Sequence, residues 1–402
     1  MNIDWQRRID RVAGRWICRV LSLWPAPAAP PGRGGAPRRI LVILLSEMGS
    51  LVLAWPMFRR LRQRYPEAEL HALVFEKNRE VLDLLGVVPP AQVWTLRDDG
   101  FGHLAWDALR VLRGLRRLGM DVVIDCELFA RVSAILARLT GAKVRVGFHP
   151  HTQEGLYRGD FINRPVLYNP YHHIARQFLT LAEAVESNTR PPAKRPMDEP
   201  LPAPPPVPFD EAEIAALRAR LHAEFAQIHG RRLVLLYPGG GALPIRAWPE
   251  AHYVALARAL LARGYAVGII GLPTDREQAA RVVAACGDPA CVSLAGWTRS
   301  VRELLQLFHV AELLVTNDGG PGHFAVLTPI RGLVLFGPET PRLYGPLSDR
   351  VEALHLDYSC SPCLTAYNHR NSPCDGDNRC VAQIPVDRVL ERALHMLEAG
   401  PP

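Results

Sequence analysis

Residues 315–338 read V-T-N-D-G-G-P-G-H-F-A-V-L-T-P-I-R-G-L-V-L-F-G-P and indicate the fold more directly than any other stretch. The apolar residues 313–316 predict a strand that leads into Asp318 and three glycines, then a short helix with His323 in its first turn. Glycines let a ligand approach the backbone closely, and the amides at a helix start favour phosphate oxygens. A second predicted strand, residues 332–336, ends in another Gly-Pro turn. Ligands of open α/β sheets bind where strands end, so both turns are predicted to line one crevice.

The length and charge of the chain limit its organisation and its partners. At 402 residues it exceeds what one hydrophobic core usually holds, which predicts two domains. Lys and Arg outnumber Asp and Glu by 47 to 40, which fits an anionic partner such as a nucleotide, a phosphorylated glycolipid or an acidic membrane face. Nucleic acid is not expected as a partner, because the basic residues are spread along the chain without a nucleic-acid-binding signature.

Hydropathy predicts neither a membrane span nor a secretory signal. No apolar run reaches the roughly 20 residues that cross a bilayer, and arginines interrupt the N-terminal region. The eight cysteines are therefore expected in a reducing compartment. Four dispersed cysteines are expected to be packing residues: Cys18, Cys126, Cys286 and Cys291.

Residues 1–37 predict an amphipathic helix followed by a linker. In residues 4–24, apolar side chains recur at steps of three and four beside a stripe of arginines. Tryptophans on the apolar face and arginines on its flank are typical of a helix that lies in the headgroup layer of an anionic membrane. The alternative is a helix docked on the protein's own surface. The apolar face comprises Trp5, Ile9, Val12, Trp16, Val20 and Leu23, and the stripe comprises Arg8, Arg11, Arg15 and Arg19.

Two alternations of apolar strands and helices fill residues 38–190 and 210–402. The first opens with a predicted strand at 40–45 and the second with one at 233–237. Continuous apolar strands between helices indicate a parallel sheet covered on both faces. The proline-rich residues 191–209 are interpreted as the linker between them. The sequence thus predicts an α/β protein of two Rossmann-like parallel-sheet domains that face a central cleft.

Each half offers a polar turn after its first strand. In the first half, Ser50 is interpreted as a helix N-cap, with a catalytic role as the alternative. Glu47 is a candidate for taking a proton from an attacking hydroxyl, with a solvated carboxylate as the alternative. In the second half, Arg246 follows a run of glycines and could pair with a diphosphate in a forked geometry. The alternative for Arg246 is an exposed side chain on a surface turn. The glycines of that run are Gly239, Gly240 and Gly241.

The order of these motifs resembles glycosyltransferase family 9, the ADP-heptose:lipopolysaccharide heptosyltransferases. The matching pattern is S-E-M-G-x-x-x-L-A-x-P, P-G-G-G-x-x-x-x-R-x-W-P, G-x-P-x-D, N-D-G-G-P-G-H and F-G-P-E-T-P, within residues 38–397. The resemblance implies a GT-B fold with a nucleotide-diphosphate sugar in the C-terminal domain and a glycolipid acceptor in the N-terminal one. It also implies inverting transfer that requires no metal or other cofactor, on the cytoplasmic face of the inner membrane, with the enzyme bound peripherally.

The resemblance assigns donor-site roles to residues of the second half. The basic residue that helps to bind the donor diphosphate falls on Arg246, and the acidic residue near the nucleoside falls on Asp275. The turn that faces the donor sugar and phosphates falls on Asp318, Gly319, Gly320 and His323. Gly319 departs from the family, which usually carries Ser or Thr there, and this implies one lost hydroxyl contact and a different donor sugar.

The first-half turn departs from the family at the general base. Ser50 occupies the place of the family's Asp, and a serine hydroxyl cannot act as a base near neutral pH without a partner. Glu47 is the first candidate to replace it, and Glu127 and Glu154 are others. The alternative is a catalytically impaired relative that binds a nucleotide-sugar or a partner protein at the membrane. A nucleotide-dependent oxidoreductase is disfavoured, because no G-x-G-x-x-G follows the first strand.

The C-terminal tail carries four closely spaced cysteines: Cys360, Cys363, Cys374 and Cys380. Four thiols at such spacings could bind a structural zinc ion or form disulfides, and the alternative is simple packing thiols. His369 lies between them in the sequence. A catalytic role for these thiols is not expected.

Overall fold

The computed structural model describes residues 9–24, 36–45, 47–128, 130–148, 157–187, 189, 191–196, 198–241, 243–365 and 371–398. The chain divides into two compact units within the proline-rich stretch, one containing Met1–Pro202 and the other Ala203–Thr365 and Arg370–Pro402. In the part of the chain that is described, no helix combines the length and apolarity needed to span a bilayer.

The first unit contains one sheet of six parallel strands in the order β3-β2-β1-β4-β5-β6. The strands are β1 Arg39–Ile43, β2 Glu69–Phe75, β3 Val93–Leu96, β4 Val122–Asp125, β5 Val144–Phe148 and β6 Arg164–Val166. The helices are α1 Arg15–Ser22, which continues a π-helical turn at Asp10–Gly14, α2 Met48–Arg64, α3 Arg79–Leu85, α4 Phe101–Leu118, α5 Arg131–Leu139 and α6 Ile174–Ala184.

The second unit repeats this plan, with six parallel strands in the order β12-β11-β10-β7-β8-β9. The strands are β7 Leu233–Tyr237, β8 Ala266–Gly271, β9 Cys291–Ala295, β10 Leu313–Asn317, β11 Arg331–Leu335 and β12 Val351–Leu354. The helices are α7 Glu211–Glu224, α8 Glu250–Leu261, α9 Arg276–Cys286, α10 Val301–Val310, α11 Gly320–Ala325, α12 Pro341–Tyr344, α13 Arg379–Ala382 and α14 Val386–Glu398.

Both sheets reverse their direction of growth at the first strand, so that β1 lies between β2 and β4, and β7 lies between β8 and β10. Ligands of open α/β sheets bind at the carboxyl ends of strands at such a switch point. The polar turns selected from the sequence follow β1, β7 and β10. Strands β10 and β11 are parallel neighbours, so the two turns that were predicted to line one crevice lie at the same edge of the sheet, beside the turn after β7.

The predicted strand positions are close to the observed ones, with one informative difference. Residues 233–237 form β7 as predicted, whereas β1 ends at Ile43 and not at residue 45. The amide of Leu45 donates to the Glu127 side chain at 2.7 Å instead of to a neighbouring strand. The Glu127 side chain, which follows β4, thus takes the place of a strand-to-strand hydrogen bond at Leu45, and the turn begins there.

Helices cover both faces of the first sheet. In α/β sheets, right-handed crossovers that run in opposite directions place their helices on opposite faces. Accordingly, α2 contacts α3 and α6 on one face, while α4 and α5 contact each other on the other. Val111 and Leu115 of α4 and Leu136 of α5 pack there against Leu41 and Ile43 of the sheet.

The N-terminal helix docks on α5, and the predicted apolar face is not the face that docks. The carboxylate of Asp10 accepts hydrogen bonds from the first amides of α5, at 2.8 Å from Arg131 and 2.9 Å from Val132. Gly14 and Cys18 lie on the buried side of the N-terminal helical segment, and a side chain at Gly14 would meet Arg131 Cβ at 3.1 Å. The capping contact and these small residues set the rotation of the helix. Residues 4–8 and linker residues 25–35 lie outside the described part.

Candidate functional site

The turns of the second unit are connected by Asn317, the last residue of β10, whose side chain is fully buried. Its Oδ1 accepts hydrogen bonds from the amide of Trp248 and the hydroxyl of Tyr253, both at 3.0 Å. Its Nδ2 donates to the carbonyls of Gly239 at 2.9 Å and Pro238 at 3.2 Å. One amide therefore joins the glycine turn, the segment after Arg246 and α8. The sequence analysis assigned no role to Asn317, because its partners are distant in the chain.

Replacing Asn317 by alanine is expected to lower the free energy of unfolding by about 2–3 kcal/mol, since it leaves buried backbone groups without their hydrogen bonds. Chemical denaturation of the purified chain measures this change. Thr316→Val is the control, because Thr316 is equally buried and, among the described residues, its hydroxyl bonds only to the carbonyl of Asn317 at 2.9 Å. Equal losses in the two variants would contradict the connecting role.

The glycine turn after β7 requires glycine at Gly240 for lack of space and at Gly241 for its backbone conformation. An added Cβ at Gly240 would lie 2.7 Å from Pro244 Cα and 2.9 Å from the carbonyl oxygen of Leu243. Gly241 has a φ of 59°, in the left-handed region that favours glycine. The turn therefore requires glycine for its own geometry, and the same lack of side chains keeps its backbone open to a ligand.

Arg246 lies in a buried cluster with two carboxylates. The residue is 8% exposed, so the alternative of an exposed side chain on a surface turn is wrong. Its guanidinium pairs with Glu339, and its Nε lies 3.4 Å from Oδ2 of Asp318. Both carboxylate residues are buried as well. The cluster thus combines the turns after β7, β10 and β11, which are neighbouring strands of the sheet.

Glu339 is a site residue that the sequence analysis missed. It lies in the F-G-P-E-T-P motif after β11, but no pattern in the sequence connects that motif to Arg246. Two carboxylates around one guanidinium leave the cluster with one net negative charge when all three groups are ionised. A diphosphate that approaches Arg246 must therefore compete with Asp318 and Glu339 for its N–H groups.

The predicted short helix after Asp318 is observed as α11, Gly320–Ala325, with Gly319 at the N-cap position. His323 lies within this helix and is buried. Asp318 itself is held by the main chain, because its amide donates to the carbonyl of Leu335 at 2.9 Å. The structure thus places Asp318, Gly319, Gly320 and His323 on one turn beside β11.

Gly319 can accept the side chain that the family resemblance implies. Its backbone is extended, with a φ of 169°, and an added Cβ would meet no atom closer than 3.9 Å. Gly319→Ser is therefore expected to change the free energy of unfolding by only about a few tenths of a kcal/mol. Because the added hydroxyl lies beside the proposed sugar site, KM for the donor is expected to change while the thermal midpoint stays constant. An unchanged KM would place the donor sugar elsewhere.

Asp275 is located near the glycine turn but is engaged locally. Its Oδ2 accepts a hydrogen bond from the amide of Leu272 at 2.8 Å. Burial, and secondly the charge of Asp275, raise the pKa of Tyr237 to about 12. Since Tyr237 ends β7 directly before the glycine turn, Asp275 lies on the same side of the sheet edge. Its role near a nucleoside stays a prediction.

In the first unit, helix α2 begins two residues before Ser50, so the interpretation of Ser50 as the N-cap is wrong. Glu47 takes the N-cap position, and the amide of Ser50 donates to the carbonyl of Glu47 at 3.1 Å. Glu47 and Ser50 are both half-buried. Ser46 lies outside the described residues. Glu47 is therefore the acidic residue that begins the helix at the switch point after β1.

Glu127 holds the backbone just before this turn. Glu127 is buried, and its Oε1 accepts a hydrogen bond from the amide of Leu45. The side chain of Asn78 donates to the carbonyl of Leu45 at 2.7 Å. Arg158 donates to the carbonyl of Glu127 at 2.7 Å and pairs with the fully buried Asp125. Burial raises the pKa of Asp125, with Arg158 opposing that effect. Glu127 thus fixes the end of β1, whereas Glu154 lies outside the described residues.

The tail cysteines do not form a metal site as they lie in this structure. Among the described residues, which exclude 366–370, no three His, Cys, Asp or Glu side chains are grouped closely enough to hold a metal ion. All eight cysteines are described, and none is in a disulfide. Burial, and secondly the neighbouring thiols, raise the pKa of Cys380 to about 11. Zinc binding and disulfide formation by the tail stay predictions.

Comparison with known proteins places these features in a family. The profile of glycosyltransferase family 9 (heptosyltransferase) matches residues 108–372. Lipopolysaccharide heptosyltransferase 2 of Salmonella typhimurium is 26% identical over 372 residues, covering 89% of this chain and 98% of that protein. Its namesake from Escherichia coli K12 is 25% identical over 366 residues, covering 88% and 97%.

Solved structures show the same fold. The structure of E. coli ADP-heptose lps heptosyltransferase II superposes with a TM-score of 0.68 at 22% identity, covering 90% of this chain and 99% of that one. A family 9 glycosyltransferase from Veillonella parvula gives the same TM-score at 19% identity, covering 90% and 98%. Together with the two six-stranded parallel sheets, these likenesses show the GT-B fold.

Proposed function

The chain belongs to glycosyltransferase family 9, the heptosyltransferase family, and from this premise we propose that it transfers a heptose or a related sugar from an ADP-sugar to a lipopolysaccharide core or similar glycolipid. The observation that carries the proposal is the buried cluster of Arg246, Asp318 and Glu339 at the carboxyl ends of three adjacent strands. A cation beside glycine-lined backbone suits a diphosphate, and carboxylates suit the hydroxyl groups of a sugar.

In the proposed donor complex, each group of the cluster has a separate task. Arg246 donates to the diphosphate, for which its planar guanidinium has the right geometry. The backbone of the glycine turn and of Gly319 and Gly320 approaches the same phosphates. Asp318 and Glu339 accept hydrogen bonds from sugar hydroxyls, which keeps their charges away from the phosphate oxygens. The site therefore separates the anionic and the polyhydroxy parts of the donor.

The proposed reaction is a single displacement that inverts the anomeric centre. An acceptor hydroxyl attacks the anomeric carbon, its proton passes to Glu47, and the bond between that carbon and the diphosphate oxygen breaks. Arg246 stabilises the negative charge that develops on the departing diphosphate. No metal ion takes part in these steps, and the tail cysteines have at most a structural role.

Product analysis tests the proposal. The purified chain is incubated with ADP-heptose, other ADP-sugars and UDP-sugars, together with a truncated lipopolysaccharide acceptor, and products are weighed by mass spectrometry. We expect one heptose added to the acceptor with ADP released, at the same rate with and without EDTA. Transfer only from UDP-sugars, or dependence on an added divalent ion, would overturn the donor or the metal-free mechanism.

A second candidate is a catalytically impaired relative that binds the donor without transferring it. What favours it is Ser50, at the position where the family resemblance implies an acidic general base. Calorimetry with the ADP-sugar beside the turnover assay separates the two functions. Binding with no detectable product would support the impaired relative, and product formation would exclude it.

The proposed acceptor also determines where the protein works. Lipopolysaccharide core acceptors are anchored in a membrane, so we propose a peripheral location on the cytoplasmic face of the inner membrane. Fractionation of cells is expected to recover the chain with membranes, and high salt is expected to release part of it because surface charge interactions are screened. Recovery in the soluble fraction at low salt would contradict this location.

A further inference from the structure

Two helices of the first unit expose large apolar side chains on their outward sides. On α1 and the residues that flank it, Trp16 is 62% exposed, and on α4, Trp106 is 63% exposed. We call these surfaces together the α1–α4 face. Its exposed apolar members are Val12, Trp16, Ile17, Val20, Leu23, Trp24, Trp106 and Leu109.

The apolar side of α1 is left exposed although the helix is docked. Its opposite side already packs on the protein, through Cys18 against Ala134 and Phe161. The capping contact of Asp10 with the start of α5 prevents the helix from turning its tryptophans inward. The exposed side of α1 therefore does not pack against the rest of the first unit. Only a separate partner could shield these apolar side chains from water.

Helix α4 has the same division into two sides. Val111 and Leu115 are buried against the sheet, while Trp106 and Leu109 point away from it. Helix α5 contacts both α4 and the N-terminal helix. Since α4 and α5 cover the same face of the sheet, α5 connects α4 to the docked N-terminal helix.

The outward charge of the two helices themselves is positive, whereas the exposed Asp99, paired with His103, and the exposed Asp160, bonded to Ser22, are acidic neighbours. The only acidic residues of segments 9–24 and 101–118 are Asp10 and Asp107, and both are turned inward. Asp10 caps α5, and Asp107 accepts from Arg97 at 2.8 Å. The exposed arginines of the two segments are Arg11, Arg15, Arg19, Arg110, Arg113, Arg116 and Arg117. The guanidinium of Arg19 lies 5.4 Å from the ring centre of Trp16, at the border between charge and apolar surface.

We propose that the α1–α4 face lies in the headgroup layer of an anionic lipid bilayer. Tryptophan and aliphatic side chains enter the boundary between headgroups and acyl chains, and the flanking arginines pair with lipid phosphates. The N-terminal helix alone was the membrane element expected from the sequence, and the structure adds α4 as a second contact. The inference concerns the surface and is independent of sugar transfer.

Vesicle sedimentation of the full chain tests the proposal without any substrate. Vesicles of phosphatidylcholine with about one quarter phosphatidylglycerol are compared with phosphatidylcholine alone. We expect binding to the anionic vesicles, weakened by salt. The double variants Trp16→Ser/Val20→Ser and Trp106→Ser/Leu109→Ser are each expected to lower the partition coefficient about tenfold. These side chains are exposed, so thermal midpoints are expected to stay constant and serve as the folding check.

Leu272→Ser is the matched control, because Leu272 is 63% exposed but lies in the second unit. Its binding is expected to equal that of the unmodified chain. Two results would overturn the proposal: no binding of the unmodified chain to anionic vesicles, or full binding by the α4 double variant. A dimer that dissociates in the α1 double variant would show that the face binds a second copy instead of lipid. These binding measurements use no sugar substrate, so a failure of the proposed sugar transfer would not change their outcome.

Discussion

Replacement of Arg246 by alanine is expected to lower kcat/KM for sugar transfer about 1,000-fold, the effect of removing one preorganised group from a developing anion. The guanidinium pairs with Glu339 and lies 3.4 Å from Oδ2 of Asp318, and its removal takes this positive charge away from two buried carboxylates. Removing one partner of a buried ion pair is expected to lower the free energy of unfolding by about 3–5 kcal/mol. Steady-state kinetics and chemical denaturation of the same preparation measure the two effects.

Two further variants separate catalysis from stability. Arg246→Lys keeps the charge but cannot contact both carboxylates and a diphosphate with one planar group, so it is expected to recover most of the stability and little of the activity. Glu339→Gln removes one of the competing charges and is expected to retain stability while raising KM for the sugar. Normal kcat/KM in a folded Arg246→Ala enzyme would show that the donor diphosphate binds elsewhere.

The sequence predicted those parts of the site that depend on local pattern. Glycine runs after apolar strands identified the turns around Gly240 and Gly319, because strand and turn signals are contained within a few residues. The same pattern predicted two parallel sheets, and the strand order then brings the turns after β7 and β10 together. Arg246 was selected as a donor-site residue, but its burial between two carboxylates was not predicted.

The missed features depend on contacts between distant parts of the chain. Asn317 and Glu339 act through partners 64 to 93 positions away, from the pair of Asn317 with Tyr253 to the pair of Glu339 with Arg246. The docked side of the N-terminal helix is decided by Asp10 and the start of α5, which are 121 positions apart. Helical periodicity identifies an apolar face, but it does not say whether the face meets protein or another partner.

The position of Ser50 shows a second limit of local patterns. Serine is a frequent N-cap, yet here the helix begins at Met48 with Glu47 in the N-cap position. The reason is the early end of β1, where Glu127 takes the amide of Leu45 and begins the turn. A long-range contact thus moves the helix start and with it the assignment of Glu47 and Ser50.

Glu47→Gln is expected to lower kcat for transfer by about 100- to 10,000-fold, the usual contribution of a general base. Glu47 begins α2 at the switch point of the first sheet, where a ligand is expected. Glu127 is less suited, because it is buried and one of its oxygens holds Leu45. Ser50 has no acidic group and is expected to be replaceable by alanine with little loss of kcat.

A matched set of variants tests the assignment of the base. Glu67→Gln makes the same chemical change at an exposed site of the first unit and is expected to leave kcat unchanged. Glu127→Gln is expected to lower the thermal midpoint, since it disturbs the contact that ends β1. The donor Kd of Glu47→Gln is expected to equal that of the unmodified enzyme, because the base acts on the acceptor. Unchanged turnover in both Glu47→Gln and Ser50→Ala would refute the assignment, and a loss of kcat confined to Glu127→Gln would transfer the role to that carboxylate.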